Sequence, residues 1–487
     1  MRSSDTPRSR RLARRICPDP DPISAGTAGE AALWADQRGG GDAGEPQKID
    51  TQPPFTGPIT VPRDLLWPTR KGSHAACVCF WGRSMMVRPN PSGLAKRSAH
   101  SLNVAACALA LAGCATLTRV PYTHQEQAVA VVPGIPDARI WADDPAVSSV
   151  RRSVVSRVSA KQPVVLALSG GGADAAFGAG LLAGWSARGT RPQFTIVTGA
   201  SAGALIAPFA FLGPAYDETL TSVFATGEMA NLLQSEGLAG LFGTSLFKTE
   251  PLRDLVARHV DAPMLAAIAR EYRAGRRLYV VTTNLDAQRT AIWDMGKIAA
   301  SDEPGALNLF RDVLTASASI PGVFSPMLID IDVDGRHSAE MHVDGGVTTN
   351  VLILPEAVLV SGTPVFPPDA RPKVYVIMNG KLAPDFELVK ASTLQIVRRS
   401  FETSVRANTR NTLIAFYQFA KSRNWDFNLA SIDADYPKSD AIGFDPAYMQ
   451  QLFDYGYQRG RAGIHWQSTP AAPASSPPVA RRSGSVR

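Results

Sequence analysis

Gly199-Ala200-Ser201-Ala202-Gly203 is the clearest chemical signature in the chain. A Gly-x-Ser-x-Gly run between a strand and a helix makes a nucleophile elbow. Its glycines let strand and helix close around a sharp turn, so the serine hydroxyl stands alone above the sheet edge. The helix start behind it has free N–H groups that favour developing negative charge. The pentapeptide alone recurs by chance in Gly/Ser/Ala-rich sequence, so its context decides. A serine used this way also needs oxyanion donors and a base. Gly170-Gly171-Gly172 offers the donors, because consecutive glycines can turn several N–H groups onto one oxygen. Each such donor contributes about 3–4 kcal/mol to the transition state.

The base is less plain. Histidine is the usual partner, last in the order Ser, Asp, His. The body of the chain offers His259 on a charged helix, His337 beside a turn, His342, and His465 against a Pro/Ser/Ala-rich tail. None sits in a convincing motif. Val343-Asp344-Gly345-Gly346 instead places a carboxylate at a strand end before a glycine turn. Read by itself, Asp344 is more readily a turn former, since Asp-Gly is common in turns.

Two decoys fall away. Gly170-x-Gly172-x-x-Ala175 fits a loose dinucleotide fingerprint, which needs an acidic residue about 20 positions on to hold the ribose. Between Asp174 and Asp217 there is no Asp or Glu. Asp330-x-Asp332-x-Asp334-Gly335 copies the front of a calcium loop, but position 341, where the bidentate Glu belongs, is Met341. Ile329, Ile331 and Val333 alternate with the three Asp, so the stretch reads as a strand turning at Asp334-Gly335 into a hairpin.

The elements around these residues form one series. Pro163–Leu168 is a continuous apolar run, the pattern of a buried strand, and Ala173–Trp185 is helical, with Asp174 near its start. Gln193–Thr198 is a second strand, followed by the elbow and another apolar helix. Strand, Gly-rich turn, helix, repeated, predicts an α/β fold on a mostly parallel sheet covered on both faces. Arg277–Asn284 and Lys373–Met378 read as further strands. Leu307–Ala318, Leu388–Ser422 and Asp445–Arg461 read as helices.

The ends differ in character. Residues 1–113 hold 15 Lys/Arg against 9 Asp/Glu, while Cys114–Arg487 holds 35 against 34. The N-terminal part therefore carries +6 of the net +7, and the nearly neutral body lacks the electrostatic footprint of nucleic-acid binding. All five cysteines, Cys17, Cys77, Cys79, Cys107 and Cys114, stand in the first 114 residues. The body therefore has neither a disulfide framework nor a thiol nucleophile. Residues 1–85 show no sustained period and are expected to be disordered or an over-extended gene start, with translation beginning at Met85 or Met86. Residues 86–113 have a basic start (Arg88, Lys96, Arg97), a short apolar run from Ser101 to Ala112, and small residues at its end. That is the layout of a secretory signal peptide, and about 12 apolar residues are too few for a membrane span. Residues 114–161 read as a linker, 162–468 as the catalytic domain and 469–487 as a disordered tail.

Two resemblances follow. Leu111-Ala112-Gly113-Cys114 resembles the lipobox of bacterial lipoproteins, which implies that Cys114 is the acylated first mature residue. Ala115 after it implies outer-membrane sorting, on the periplasmic face of the cell envelope. The Gly170–Gly172 loop, the Gly199–Gly203 elbow, Ala316-Ser317-Ala318-Ser319-Ile320-Pro321-Gly322-Val323-Phe324 and Asp344-Gly345-Gly346 together resemble the patatin-like phospholipase family, in its order and at compatible separations. The resemblance implies a three-layer α/β/α fold and a Ser–Asp dyad. Ser201 would be the nucleophile, Asp344 the base, and the amides of Gly170, Gly171 and Gly172 the oxyanion hole, with no metal or organic cofactor. The substrate would be an acyl lipid, a phospholipid or lysophospholipid. Asp174 and Ala175 stand where the family commonly has a basic residue and Gly. The alternatives are a general carboxylesterase using Ser and His, and a non-catalytic lipid-binding envelope protein. Leu232, Leu233, Leu238, Leu241, Phe242, Leu246 and Phe247 lie in a weakly charged stretch able to touch lipid, though core packing suits most of them better.

Overall fold

The computed structural model describes residues 119–144, 162–226, 228–232, 245, 247–437 and 444–470. The signal-peptide region, Cys114 and residues 471–487 lie outside them. All described residues fall within one compact unit, Pro89–Arg487.

The sheet has nine strands among the described residues. They are β1 (Arg139–Trp141), β2 (Val164–Leu168), β3 (Ile196–Ala200), β4 (Arg277–Asn284) and β5 (Arg289–Asp294), then β6 (Met327–Val333), β7 (Arg336–Asp344), β8 (Lys373–Lys381) and β9 (Asp426–Ile432). The order is β1-β5-β4-β3-β2-β8-β9. The five strands from β4 to β9 run parallel, and β5 and β1 add an antiparallel edge.

Helices cover both faces, which is why the central strands read as unbroken apolar runs. On β2, Leu166 and Leu168 join one core cluster while Val165 and Ala167 join the other. The helices used below are α1 (His124–Val129), α2 (Ala175–Ala187), α3 (Ala202–Leu212), α4 (Ala306–Ser317), α5 (Thr393–Ser422) and α6 (Pro446–Ala462). The cluster with Leu166 holds α2, α3, α4 and α6; the cluster with Val165 holds Leu413, Phe416 and Ala420 of α5. The result is the expected mixed α/β architecture, a mostly parallel sheet between helical layers.

Two features escaped the sequence reading. Residues 119–144, expected as linker, belong to the fold. Thr123 caps α1 in a capping box with Glu126, and β1 pairs with β5, Ile140 opposite Ile292. A three-residue strand gives too short a period to be seen. The second is the contact of α2 with α6. A Cβ on Gly180 would lie 2.0 Å from the Phe453 carbonyl oxygen, and one on Gly456 would lie 2.3 Å from that of Phe177. Glycines four apart on both helices, Gly180/Gly184 and Gly456/Gly460, let the two backbones touch. Gly456→Val should therefore force the helices apart and lower stability by about 3 kcal/mol. An unchanged urea midpoint would refute that packing.

The Asp330–Gly335 stretch is the hairpin. Val333 pairs with Arg336, Asp334 and Gly335 both have positive φ (50° and 81°), and the Gly335 N–H donates to Asp332 Oδ1 at 2.7 Å. Leu232 is buried in the core and Phe247 packs against it, whereas Leu233, Leu238, Leu241, Phe242 and Leu246 lie outside the described residues.

Candidate active site

Strand register brings Ser201 to Asp344. β3 pairs along β4 as far as Ala200 opposite Val281, and there β3 ends. The next residue of β4, Thr282, is opposite Asp344, the last residue of β7. Two strands arriving from opposite directions thus meet end to end on one edge of β4. Ser201 Oγ lies 2.6 Å from Asp344 Oδ2. Both residues are buried, Ser201 at 6% exposure and Asp344 at 3%.

Ser201 has φ 53° and ψ −132°, a conformation that L residues rarely adopt and that must be held by its surroundings. α3 begins at the next residue. Gly203 permits the closure, since a Cβ there would lie 2.4 Å from the Ser169 carbonyl oxygen. Gly199 does the same on the strand side, 2.5 Å from the Gly203 carbonyl oxygen. The Ser201 N–H donates to Ser317 Oγ at 3.0 Å, and that hydroxyl donates to the Val281 carbonyl at 2.6 Å. Ser317, fully buried at the end of α4, so ties the elbow to β4. Ser317→Ala would leave both groups unpaired in the core, and a loss of about 1–3 kcal/mol on thermal unfolding is expected. An unshifted transition would show that the elbow holds itself.

Asp344 is fixed from three sides. Its N–H donates to the Ser319 carbonyl at 2.9 Å, its carbonyl accepts from Thr283 Oγ1 at 2.9 Å, and its Oδ1 accepts from the Gly346 N–H at 2.6 Å. Burial pushes its carboxyl up to about 7, against the opposing hydrogen bonds from Ser201 and Gly346. The family-like stretch 316–324 thus contributes two serines that hold nucleophile and carboxylate.

The glycine loop needs one correction. The Gly170 N–H donates to the Asn350 carbonyl at 2.9 Å, so it is already engaged and does not face a substrate oxygen. Gly170 allows close approach instead: a Cβ there would lie 2.7 Å from Ser201 Cβ and 2.4 Å from Asn350 Oδ1. The N–H groups of Gly171 and Gly172 make no hydrogen bond among the described residues. Asn379 props the loop from β8, with its N–H donating to Ser169 Oγ at 2.8 Å and its Nδ2 to the Ser169 carbonyl at 2.7 Å. Asn350 and Asn379 carried no signal in the sequence, because their work is on backbone groups far away along the chain.

No histidine hydrogen-bonds Ser201 or Asp344 among the described residues. His259 Nε2 lies 2.8 Å from Glu228 Oε2, and His337 is exposed, 3.6 Å from Asp330. His465 is exposed near the end of the described chain. His342 is fully buried two residues before Asp344, its Nδ1 2.9 Å from Thr282 Oγ1 and its Nε2 3.1 Å from Glu340 Oε2. Burial holds its pKa below the usual histidine value, so the ring is neutral. For Glu340 burial acts the other way, but the His342 hydrogen bond and the Arg139 guanidinium outweigh it and lower its pKa. Asp174 accepts from Tyr448 Oη at 2.8 Å, which ties the start of α2 to α6.

Residues 166–356 match the family model Patatin-like phospholipase, so that span is a patatin-like phospholipase domain, of a family of lipid acyl hydrolases. No curated protein matches the sequence. Among solved structures, the crystal structure of VipD from Legionella pneumophila is similar, with 11% identity, 62% of this chain and 67% of that chain covered, and a TM-score of 0.32.

Proposed function

We propose that the protein is a serine acyl hydrolase of the bacterial cell envelope, cleaving carboxylic esters of phospholipids or lysophospholipids through a Ser201–Asp344 dyad. The observation that carries this reading is the 2.6 Å contact between Ser201 Oγ and Asp344 Oδ2, with no histidine among the described residues bonded to either. Asp344 takes the Ser201 proton as Oγ attacks the ester carbonyl. The developing oxyanion is received by the free N–H groups of Gly171 and Gly172 and by the start of α3. Collapse expels the lipid alcohol, which recovers the proton from Asp344 and leaves an acyl-Ser201 ester. Water, deprotonated by the same carboxylate, then attacks the acyl carbonyl, and Asp344 returns the proton to Ser201 Oγ as the fatty acid leaves. A carboxyl titrating near neutrality suits both halves of this cycle, because it can hold and return a proton at working pH.

Assay of the purified protein on phospholipid, lysophospholipid and a short soluble ester tests the substrate class. Fatty acid release from the acyl lipids is expected, and turnover of the short ester alone would make the protein a general carboxylesterase.

The envelope part of the proposal rests on Leu111-Ala112-Gly113-Cys114. Several acyl chains at Cys114 would hold the enzyme firmly at a membrane, where one chain binds only marginally. Cys114→Ser should block processing at that site and remove the attached lipid. Unchanged electrophoretic mobility together with retention in the membrane fraction would place the anchor elsewhere. No helix among the described residues is long and apolar enough to cross a membrane.

A further inference from the structure

Beyond β8 the chain runs through residues 382–392 to α5. Phe386 is 97% exposed and Leu388 88%, and Ile396 and Val397 in the first turns of α5 are 51% and 60% exposed. Single exposed apolar residues are ordinary. Here, however, the residues on either side of Phe386 are tied down. Asp385 pairs with Lys381 at 3.1 Å and with Arg406 at 3.4 Å, and Glu387 pairs with Arg398 at 3.3 Å and Arg399 at 3.4 Å. Arg406 also donates to the Ala383 carbonyl at 2.7 Å. Three arginines of α5 thus clamp the loop by its polar groups and leave Phe386 and Leu388 pointing outward.

The patch stands at the active-site end of the sheet. Asn379 near the end of β8 supports the Gly170–Gly172 loop. Further along α5, Asn408 Nδ2 donates to the Thr348 carbonyl at 2.7 Å, and Thr409 Oγ1 accepts from Asn350 Nδ2 at 3.0 Å. The same helix therefore grips the loop after Asp344, about 16 Å along its axis from Val397. Residues 381–406 carry Lys381, Lys390, Arg398, Arg399 and Arg406 against Asp385, Glu387 and Glu402. The excess is basic, and Lys390 is exposed beside the apolar side chains.

We propose that this patch seats the enzyme on a lipid surface, with Phe386 and Leu388 entering the acyl region and Lys390, backed by the basic excess of the segment, meeting anionic headgroups. It rests on the reading that the substrate is an acyl lipid in an aggregate. An apolar tip on a segment with a basic excess gains from both burial and surface potential, a combination that a protein partner does not require.

The test uses the full chain with Cys114→Ser in every arm, so that no attached lipid contributes. Binding to vesicles of phosphatidylcholine with one-fifth phosphatidylglycerol is read by co-sedimentation. Phe386→Ser with Leu388→Ser should weaken binding at least about tenfold and lower hydrolysis of vesicle lipid in proportion. Hydrolysis of a monomeric short-chain ester should stay within about twofold. Vesicle binding equal to the parent overturns the proposal, and so does an equal loss on the short-chain ester. Failure of the parent to bind vesicles also overturns it, while leaving the dyad untouched. Vesicle binding that depends on Phe386 in a protein without esterase activity would instead remove the catalytic reading and leave the surface.

Discussion

Ser201→Ala is expected to abolish ester hydrolysis, by about 10⁴-fold or more in kcat/KM, in a protein that still folds. The side chain is small and sits at a turn held by Ser317 and by the packing of Gly203, not by its own hydroxyl. Asp344→Asn should cost about 10²–10⁴-fold, the range of a lost general base. The double variant should be scarcely worse than Ser201→Ala, because nucleophile and base act as one unit. Steady-state assays on one lysophospholipid measure all three. Additive losses would mean that Asp344 serves the fold and not the serine.

The second large effect is on pH dependence. The Asp344 carboxyl is raised by burial from 3.8 to about 7. Between those values the unfolded chain releases a proton that the native state retains, so stability falls as pH rises through that window and is level above it. At about 1.4 kcal/mol per unit, the cost at pH 8 is on the order of 4 kcal/mol. Asp344→Asn carries no charge to desolvate, so at pH 8 it should unfold at a higher denaturant concentration than the parent, while at pH 4 the two should nearly coincide. Activity should run opposite to stability in the parent, rising with pH up to about 7 as the base form appears. A variant less stable than the parent at pH 8 would show that the carboxylate is welcome in the fold.

The chemistry was legible in the sequence where it is local. Gly199–Gly203 lies within a strand–turn–helix whose apolar runs declare themselves, and β4 falls on Arg277–Asn284 as expected. The Asp334-Gly335 turn was equally plain, because alternation on β6 and the turn dipeptide agree. Edge strand β1 was missed, as three residues carry no period. The choice between Asp344 as turn former and as partner of Ser201 was beyond local reading, since it depends on the register of β7 against β4 across 60 residues of chain. The same holds for Gly170. Three glycines look equivalent in sequence, and only the fold shows that the Asn350 carbonyl engages the first of them. Ser317 lay within a stretch picked out by resemblance, but its task, capping the Ser201 amide, is a tertiary contact over 116 residues.

Labelling by an active-site-directed fluorophosphonate, with the adduct located by peptide mapping, tests the Ser201–Asp344 dyad most directly. The parent protein should carry the label on Ser201, and the rate should collapse in Asp344→Asn. His259→Ala, His337→Ala, His342→Ala and His465→Ala should each label Ser201 at close to the parent rate. An adduct on another residue, or labelling lost in one folded histidine variant and kept in Asp344→Asn, would contradict the dyad.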